Sequence, residues 1–391
     1  VPPRTLARVM TTEIDRTLDR QYMAEALQLA QRGLYTTSPN PRVGCVLVRD
    51  GKVVGRGWHE WAGQPHAEIN ALRDAEKWYG NARGATAYVT LEPCSHHGKT
   101  PPCCEALVAA GIVRVVAAMR DPNPLVAGGG LEHLRHAGIA VEAGLLEAEA
   151  RQLNIGFISR MERGRPWLHA KLAMSVDGRT AMASGESQWL TGTAARSDVQ
   201  RLRARSCVIL SGVDTVLHDN AALSVRAEEL QLDNADVIAR RQPLRVIVDS
   251  QLRLQPPARI FAQPGQLAIA TINDEQKRWE PLVEANVQIV RLPAQDNRVD
   301  LHALMKWLTE QQANEVLVEA GATLTGALWR ARLIDQLTIY MAPTLLGSGA
   351  RALLELPFEK MREQQRLHIN AIRAVGNDWR IDATPLYAAE D

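Results

Sequence analysis

The chain has 391 residues, long for one domain and comfortable for two. Hydrophobic residues make up 46%, enough for ordinary globular cores, which excludes global disorder. The net charge is +1, and residues 21 to 165 hold 16 Lys and Arg against 14 Asp and Glu, so no general pull toward nucleic acid is expected.

In chain order, Val1 to Val9 precede Met10 and read as an upstream extension or an expression remnant rather than a targeting arm. Met23, Ala26, Leu27 and Ala30 share one helical face, and Gly33 supplies a stop. Val43 to Val48 and Val53 to Gly57 read as strands around Asp50-Gly51, a strong hairpin signal. Pro65 and His66 open a helix through Ile69, Leu72 and Ala75. Thr86 to Leu91 is a strand, Thr100-Pro101-Pro102 starts a helix that holds Cys103 and Cys104 in its first turn, and Arg114 to Met119 closes the series as a buried strand. Alternating strands and helices predict an α/β sandwich.

The charged Arg160 to Pro166 stretch, with its glycine and proline, marks a domain boundary. We expect an extension over 1–20, one domain over 21–164 and a second over 165–391. In the second, Trp167 to Met174, Val208 to Leu210, Leu244 to Val248, Leu267 to Ala270, Val287 to Leu292, Glu315 to Val318 and Leu337 to Met341 read as strands. Ala194 to Arg205 and Leu301 to Gln311 read as helices. No run of membrane-spanning length and no secretory pattern is visible, and the five cysteines form no evenly spaced disulfide framework. A reducing, cytoplasmic setting without membrane or nucleic-acid partners is expected.

His66-Ala67-Glu68, then Pro93-Cys94, then Cys103 carry the chemistry. One imidazole and two thiols suffice for a zinc ion with an open position, where the pKa of water falls toward ~7. Glu68, two residues from a ligand, is placed to take a proton from that water and deliver it to a leaving amine. This order of motifs is the signature of zinc-dependent nucleobase and nucleotide deaminases. Two plainer readings stand beside it: a surface His/Glu pair with buried apolar cysteines, and a closed structural zinc site in which Cys104, His96 or His97 is the fourth ligand. Cys104 is also the alternative to Cys103 as the second thiol.

The stretch Thr90-Leu-Glu-Pro-Cys-Ser-His-His-Gly-Lys-Thr-Pro-Pro-Cys103 goes beyond the general signature, because eight residues separate its cysteines. It resembles the bifunctional riboflavin-biosynthesis deaminase/reductase family, diaminohydroxyphosphoribosylaminopyrimidine deaminase / 5-amino-6-(5-phosphoribosylamino)uracil reductase. Pro39-Asn40-Pro41-Arg42-Val43-Gly44, His59, Asp121-Pro122-Asn123-Pro124 and Val126-Ala127-Gly128 match it too. In the second half Lys171-Leu-Ala-Met-Ser-Val-Asp-Gly-Arg179, Ser184-Gly-Glu-Ser-Gln-Trp189 and Val318-Glu-Ala-Gly321 do the same.

The resemblance implies a cytidine-deaminase-like three-layer α/β/α domain followed by a dihydrofolate-reductase-like α/β domain. The implied activities are zinc-dependent replacement of the 2-amino group of a phosphoribosylated diaminopyrimidinone by oxygen, then NADPH-dependent reduction of the ribosyl group to ribityl. It implies one zinc per chain, NADPH, a small phosphorylated pyrimidine as substrate, and a homo-oligomer. By the same resemblance Asn40, His59, His96, Lys99, Asp121 and Asn123 contact the deaminase substrate, although Asn40 and Asn123 flank prolines and could simply shape turns. Ala173, Trp189, Thr215, Asp219, Ser250, Gly321, Ala322, Thr323, Leu324, Thr325, Gly326 and Ala327 match cofactor positions. Ser187, Arg203, Leu223, Arg226 and Glu319 match substrate positions.

No Gly-x-Gly-x-x-Gly fingerprint follows a strand, so a Rossmann domain is not expected. The strand Val316 to Val318 running through Gly321 into a helix start can instead present N–H groups to a pyrophosphate. Arg196, Arg201, Arg203 and Arg205 crowd one helix and read mainly as a solvated face. The family's run of acids after Val216-Leu217 ends in proline, whereas this chain reads His218-Asp219-Asn220-Ala221, which is expected to loosen the loop. Two rivals remain: a nucleic-acid editing deaminase with an accessory domain, and a structural zinc module attached to a binding domain.

Overall fold

The structure, a computed structural model, describes residues 4–95, 102–124 and 126–387, with side chains from residue 16 onward. It divides into two compact units that meet in sequence between Arg163 and Gly164. The first contains α1 (Arg4–Gln31), β1 (Gly44–Arg49), β2 (Lys52–Trp58), α2 (Ala67–Tyr79), β3 (Thr86–Val89) and α3 (Cys103–Ala109). These are followed by β4 (Arg114–Ala117), α4 (Gly129–His136), β5 (Ala140–Ala143), α5 (Glu147–Leu153) and α6 (Ile155–Arg163). The sheet order is β2-β1-β3-β4-β5. β1 pairs antiparallel with β2 and β3, whereas β3, β4 and β5 run parallel. Asp50 and Gly51 both have positive φ, 51° and 70°, as the predicted hairpin turn requires.

Strand alternation sorts the core into two faces. Cys45, Leu47, Ala87, Val89, Val115 and Ala117 pack against Ala67, Ala71, Leu107, Leu131 and Leu134 of α2, α3 and α4. Val46, Val48, Tyr88 and Val116 face Met23, Ala26, Leu27, Ala150, Phe157 and Ile158 of α1, α5 and α6. The expected three-layer α/β/α arrangement follows. The series does not close at β4, however, because β5 joins its edge. That strand is only four residues long and mostly exposed, so it carries little apolar pattern to read. The first helix also starts much earlier than the Met23–Ala30 face, and Asp19 on it is buried against Arg114, whose Nη2 lies 2.6 Å from Asp19 Oδ2.

α2 lies very close to β2. A Cβ at Gly57 would stand 2.3 Å from both the Ala67 carbonyl oxygen and the Ala71 amide. Gly57→Ala must therefore displace the first turn of α2, at a cost of roughly 1–3 kcal/mol or more. Lower thermal stability together with zinc loss, read by melting and metal analysis, is the expected result.

The second unit contains β6 (Trp167–Ser175), β7 (Arg179–Ala181), α7 (Thr193–Arg205), β8 (Val208–Gly212), α8 (Val213–Asp219), α9 (Ala227–Leu230), α10 (Ala235–Ala239), β9 (Leu244–Val248) and β10 (Leu267–Thr271). Then come α11 (Gln276–Glu284), β11 (Gln288–Arg291), the short pair β12 (Ala294–Gln295) and β13 (Arg298–Val299), and α12 (Leu301–Glu310). β14 (Glu315–Val318), α13 (Ala322–Arg330), β15 (Gln336–Ala342), β16 (Arg351–Ala352), β17 (Arg366–Val375) and β18 (Asp378–Leu386) complete it. Nine strands form one sheet in the order β11-β10-β9-β8-β14-β6-β15-β18-β17. The strands from β11 to β15 run parallel, and the β17–β18 hairpin adds an antiparallel edge.

One face packs Leu168, Leu210, Val246, Val316 and Leu337 under α12 and α13. The other places Ile209, Ile247 and Ile269 under α8 and α11, and Leu317 and Tyr340 under α7. The β17–β18 hairpin was absent from the sequence reading. Nearly every residue of β17 is exposed, so no buried alternation marks it. Among the described residues no helix is long and apolar enough to cross a membrane.

Candidate zinc and nicotinamide sites

His66 is the N-cap of α2, and Cys103 is the first residue of α3. Cys94 lies in the turn after β3, where its carbonyl accepts the Cys104 N–H at 3.2 Å and its Sγ accepts the Cys103 N–H at 3.3 Å. Two helix N-termini and one turn thus bring three ligands together. His66 Nδ1 is 3.3 Å from Cys103 Sγ and 3.7 Å from Cys94 Sγ, and all three atoms lie within 4.8 Å of one another. Bond lengths of ~2.0–2.3 Å to a tetrahedral zinc require donor separations of roughly 3.6 Å, so this set fits the ion. A hydrogen bond with the Cys103 thiol, aided by another with His66, holds the Cys94 thiol well below its ordinary pKa. That favours the thiolate zinc needs.

Cys104 is fully buried in the apolar cluster beneath α2 and α4, and burial pushes its thiol up to about 11. The geometry therefore selects Cys103 as the thiol that joins the trio. His96, His97 and Lys99 lie outside the described residues.

Glu68, in the first turn of α2, is only 3% exposed, and burial pushes its carboxyl up to about 7 beside the Cys103 thiol. His59 is buried too. Its Nδ1–H donates to the Pro65 carbonyl at 3.2 Å, which leaves Nε2 to accept from Asn40 Nδ2 at 3.1 Å. Its ring meets His66 edge-on, with centroids 5.5 Å apart. Asn40 therefore does more than shape its turn.

Asp121 accepts the Asn123 N–H at 2.8 Å in a local turn, and its own N–H donates to Glu92 Oε2 at 3.1 Å. Glu92 figures in the sequence only within the Thr90–Cys103 stretch, with no role of its own. Its carboxylate, 3% exposed, also accepts the N–H groups of Gly128, Gly130 and Leu131 at 3.0, 2.9 and 3.2 Å. It ties the Cys94 turn to the Asp121 loop and to the start of α4. The only signal in the sequence is an acid directly after a buried strand.

In the second unit, chain connections leave β8 and β14, neighbours in the sheet, in opposite directions. α8 leads from β8 toward β9, and α13 leads from β14 toward β15. Such a switch point opens a crevice at the carboxyl ends of parallel strands. Gly321 is the N-cap of α13, with Ala322 to Ala327 in its first turns, and the Gly321 N–H donates to Thr215 Oγ1 at 3.1 Å. The run does not face one way. Thr325 is fully buried, and a Cβ at Gly326 would stand 2.5 Å from the Glu355 carbonyl, so that glycine is set by packing. Thr323 Oγ1 donates to Glu355 Oε1 at 2.9 Å.

Ser187 Oγ donates to Asp219 Oδ1 at 3.0 Å, joining a substrate-matched residue to a cofactor-matched one. Ala173 lies on β6, two residues from Lys171 and on the same strand face. Trp189 is 71% exposed under the Arg196 guanidinium, and Ser250 Oγ accepts the Val299 N–H at 3.1 Å. The segment without the family's proline is held otherwise: Asn220 is left-handed at the end of α8, its Oδ1 accepts the Arg259 N–H at 3.1 Å, and the Ala221 N–H reaches the Val216 carbonyl at 3.3 Å. Proline could not make that last bond.

The solvated-face reading of α7 is corrected. Arg203 clamps Glu319 with two bonds, of 2.6 and 2.9 Å, and donates to the Ser224 carbonyl at 3.1 Å, with both side chains largely buried. Arg205 lies 2.6 Å from Glu315. Leu223 is buried with φ 52°, and Arg226 pairs with Glu229. Lys171 went unassigned in the sequence reading. It is half-buried among the charges of Glu319, Arg203 and Asp219, and desolvation pulls its ammonium pKa below the ordinary lysine value. A partly buried lysine in such a cluster is a functional-site candidate.

Comparison with known proteins accounts for both units. Residues 16–119 match the cytidine and deoxycytidylate deaminase zinc-binding region, and residues 166–381 match the RibD C-terminal domain. The chain is 52% identical to the riboflavin biosynthesis protein RibD of Escherichia coli K12 over 364 residues, covering 92% of this chain and 97% of that one. The Haemophilus influenzae RibD is 47% identical, with 94% and 97% covered. Among solved structures, Acinetobacter baumannii RibD matches with a TM-score of 0.87 and 45% identity, covering 95% of this chain and all of the other. The Thermotoga maritima diaminohydroxyphosphoribosylaminopyrimidine deaminase/5-amino-6-(5-phosphoribosylamino)uracil reductase matches with a TM-score of 0.83 and 30% identity over the same shares. The chain belongs to the RibD family, the bifunctional enzymes of riboflavin biosynthesis that join a zinc-binding deaminase domain to an NADPH-dependent reductase domain.

Proposed function

We propose that the first unit hydrolytically deaminates a phosphoribosylated diaminopyrimidinone, and that the second reduces the ribosyl group of the product to ribityl. The observation that carries this reading is the meeting of His66, Cys94 and Cys103 beside buried Glu68. Zinc held by the trio would supply Lewis acidity that lowers the pKa of water toward ~7. Glu68 takes the water proton as its oxygen adds to the ring carbon bearing the 2-amino group. It then returns a proton to the leaving nitrogen, so water is consumed and ammonia released. Asn40, His59, Asp121 and Asn123 offer hydrogen-bonding groups for the ring and its substituents, and the family resemblance assigns His96 and Lys99 to the same role.

In the second unit NADPH would supply a hydride to the sugar C1. The α13 start, with Gly321 to Ala327, Thr215, Asp219, Ser250, Ala173 and Trp189, holds the cofactor. Ser187, Arg203, Leu223, Arg226 and Glu319 hold the substrate, and Lys171 adds a cation beside Glu319. Arginines suit a phosphate because their planar forks make paired charge-assisted bonds. We further propose that the protein works in the cytoplasm as a homo-oligomer and engages no nucleic acid.

One tube tests the reading. Purified protein is mixed with the diaminopyrimidinone nucleotide and NADPH, and ammonia release and NADPH oxidation are followed together. Both signals are expected, with ammonia lost on zinc chelation. Ammonia without NADPH oxidation would remove the reductase half of the proposal. In Arg203→Ala, deamination should persist while reduction falls by about 10²-fold, the order of a charge-assisted clamp worth ~3 kcal/mol.

A further inference from the structure

Arg226 is not held by its own segment alone. Its Nε and Nη2 meet Glu229 Oε1 and Oε2 at 2.7 and 2.8 Å, a fork-to-fork pairing. Gln200, which comes from α7 and is 1% exposed, touches both partners. Its Nε2 donates to Glu229 Oε2 at 3.2 Å, and its Oε1 accepts the Arg226 N–H at 3.0 Å. Ser197, one turn earlier on α7, donates to the Glu229 carbonyl at 2.6 Å. On the other side Gln242 brackets Val225, accepting its N–H and donating to its carbonyl, both at 2.9 Å.

The same helix carries Arg203, which grips the Ser224 carbonyl. One element therefore sets two arginines, Arg203 directly and Arg226 through a buried amide and a carboxylate. Two of the three guanidinium nitrogens of Arg226 are committed to Glu229, which leaves Nη1 for a ligand oxygen. A lone arginine on a short loop would lose rotamer freedom on binding, and the clamp removes that loss beforehand.

We propose that Glu229 and Gln200 are positioning residues for the reductase substrate: they fix the Arg226 fork so that its free edge meets the phosphate monoester. This rests on the reading of Arg226 as a substrate contact. Glu229 stays paired with Arg226 when substrate binds, and its effect lies in binding rather than in hydride transfer.

The test compares Glu229→Ala, Glu229→Gln and Arg226→Ala in the full-length zinc-loaded enzyme. The readouts are KM for the phosphoribosylaminouracil, KM for NADPH, kcat, and inhibition of reduction by inorganic phosphate. Glu229→Ala should raise the pyrimidine KM about tenfold, weaken phosphate inhibition, and leave NADPH KM and kcat within twofold. Glu229→Gln, which keeps one acceptor oxygen, should recover part of the loss. Arg226→Ala should give the larger rise in the same two quantities. If Arg226→Ala raises the pyrimidine KM and Glu229→Ala does not, the positioning role is overturned. A lower KM in Glu229→Ala would also overturn it, since the glutamate would then be competing with phosphate. So would a fall in kcat or a change in NADPH KM of equal size, which marks a general structural role. If Arg226→Ala alters neither pyrimidine KM nor phosphate inhibition, the assignment of Arg226 itself fails.

Discussion

Glu68→Gln is expected to keep zinc at one ion per chain, keep NADPH oxidation when the deaminated nucleotide is supplied directly, and lower ammonia release by about 10²–10⁴-fold. The amide fills the same volume in a pocket where the side chain is only 3% exposed, so packing around α2 should survive. What it cannot do is bind and release a proton. Burial holds the native carboxyl near 7, where both protonation states are accessible around neutral pH, as a group that first accepts and then donates must allow. Metal analysis, a thermal melt, ammonia release from the diaminopyrimidinone and NADPH oxidation with the deaminated nucleotide together check this. Undiminished ammonia release would remove Glu68 from the reaction.

Glu92→Ala is expected to damage the same activity by another route. Its carboxylate accepts four backbone N–H groups, those of Asp121, Gly128, Gly130 and Leu131. Each buried donor left without a partner costs about 1–3 kcal/mol, so even with partial relaxation the loss is ~3 kcal/mol or more. That is a large part of the roughly 5–15 kcal/mol that holds a typical domain folded. The Cys94 turn and the Asp121 loop should loosen together. Lower zinc content, an earlier melting transition and lost deamination, with reduction of the supplied deaminated nucleotide retained, are the expected signs. Full zinc loading at an unchanged melting temperature would show that the loops are held by other means.

The deaminase site was the more legible of the two because its parts are local. His66 and Glu68 share one helix start, and each thiol belongs to a short motif whose order survives in the sequence. The hairpin at Asp50-Gly51 was visible for the same reason, since two positive φ angles need residues that tolerate them. What stayed hidden depends on distant partners. Arg203 looked like part of a solvated face because Glu319, which neutralises it, lies 116 residues away. Glu92 receives its N–H groups from 29 to 39 residues downstream, and no periodicity reports that. β5 and β17 were missed because each is mostly exposed and so lacks the buried alternation on which strand reading depends.

The position of β6 has a consequence for how the polypeptide is made. It is the first strand of its sheet to leave the ribosome, yet it lies in the interior between β14 and β15, and Trp167 finds its partner Glu315 only about 150 residues later. The smaller sheet is complete by Ala143, so its nascent chain can collapse while the larger sheet still lacks its middle neighbours. During that interval both hydrogen-bonding edges of an apolar strand stay open, which is when pairing with another chain is easiest. Synthesis halted between Val176 and Asn314 would release a finished deaminase fold tethered to a strand whose sheet neighbours are not yet made.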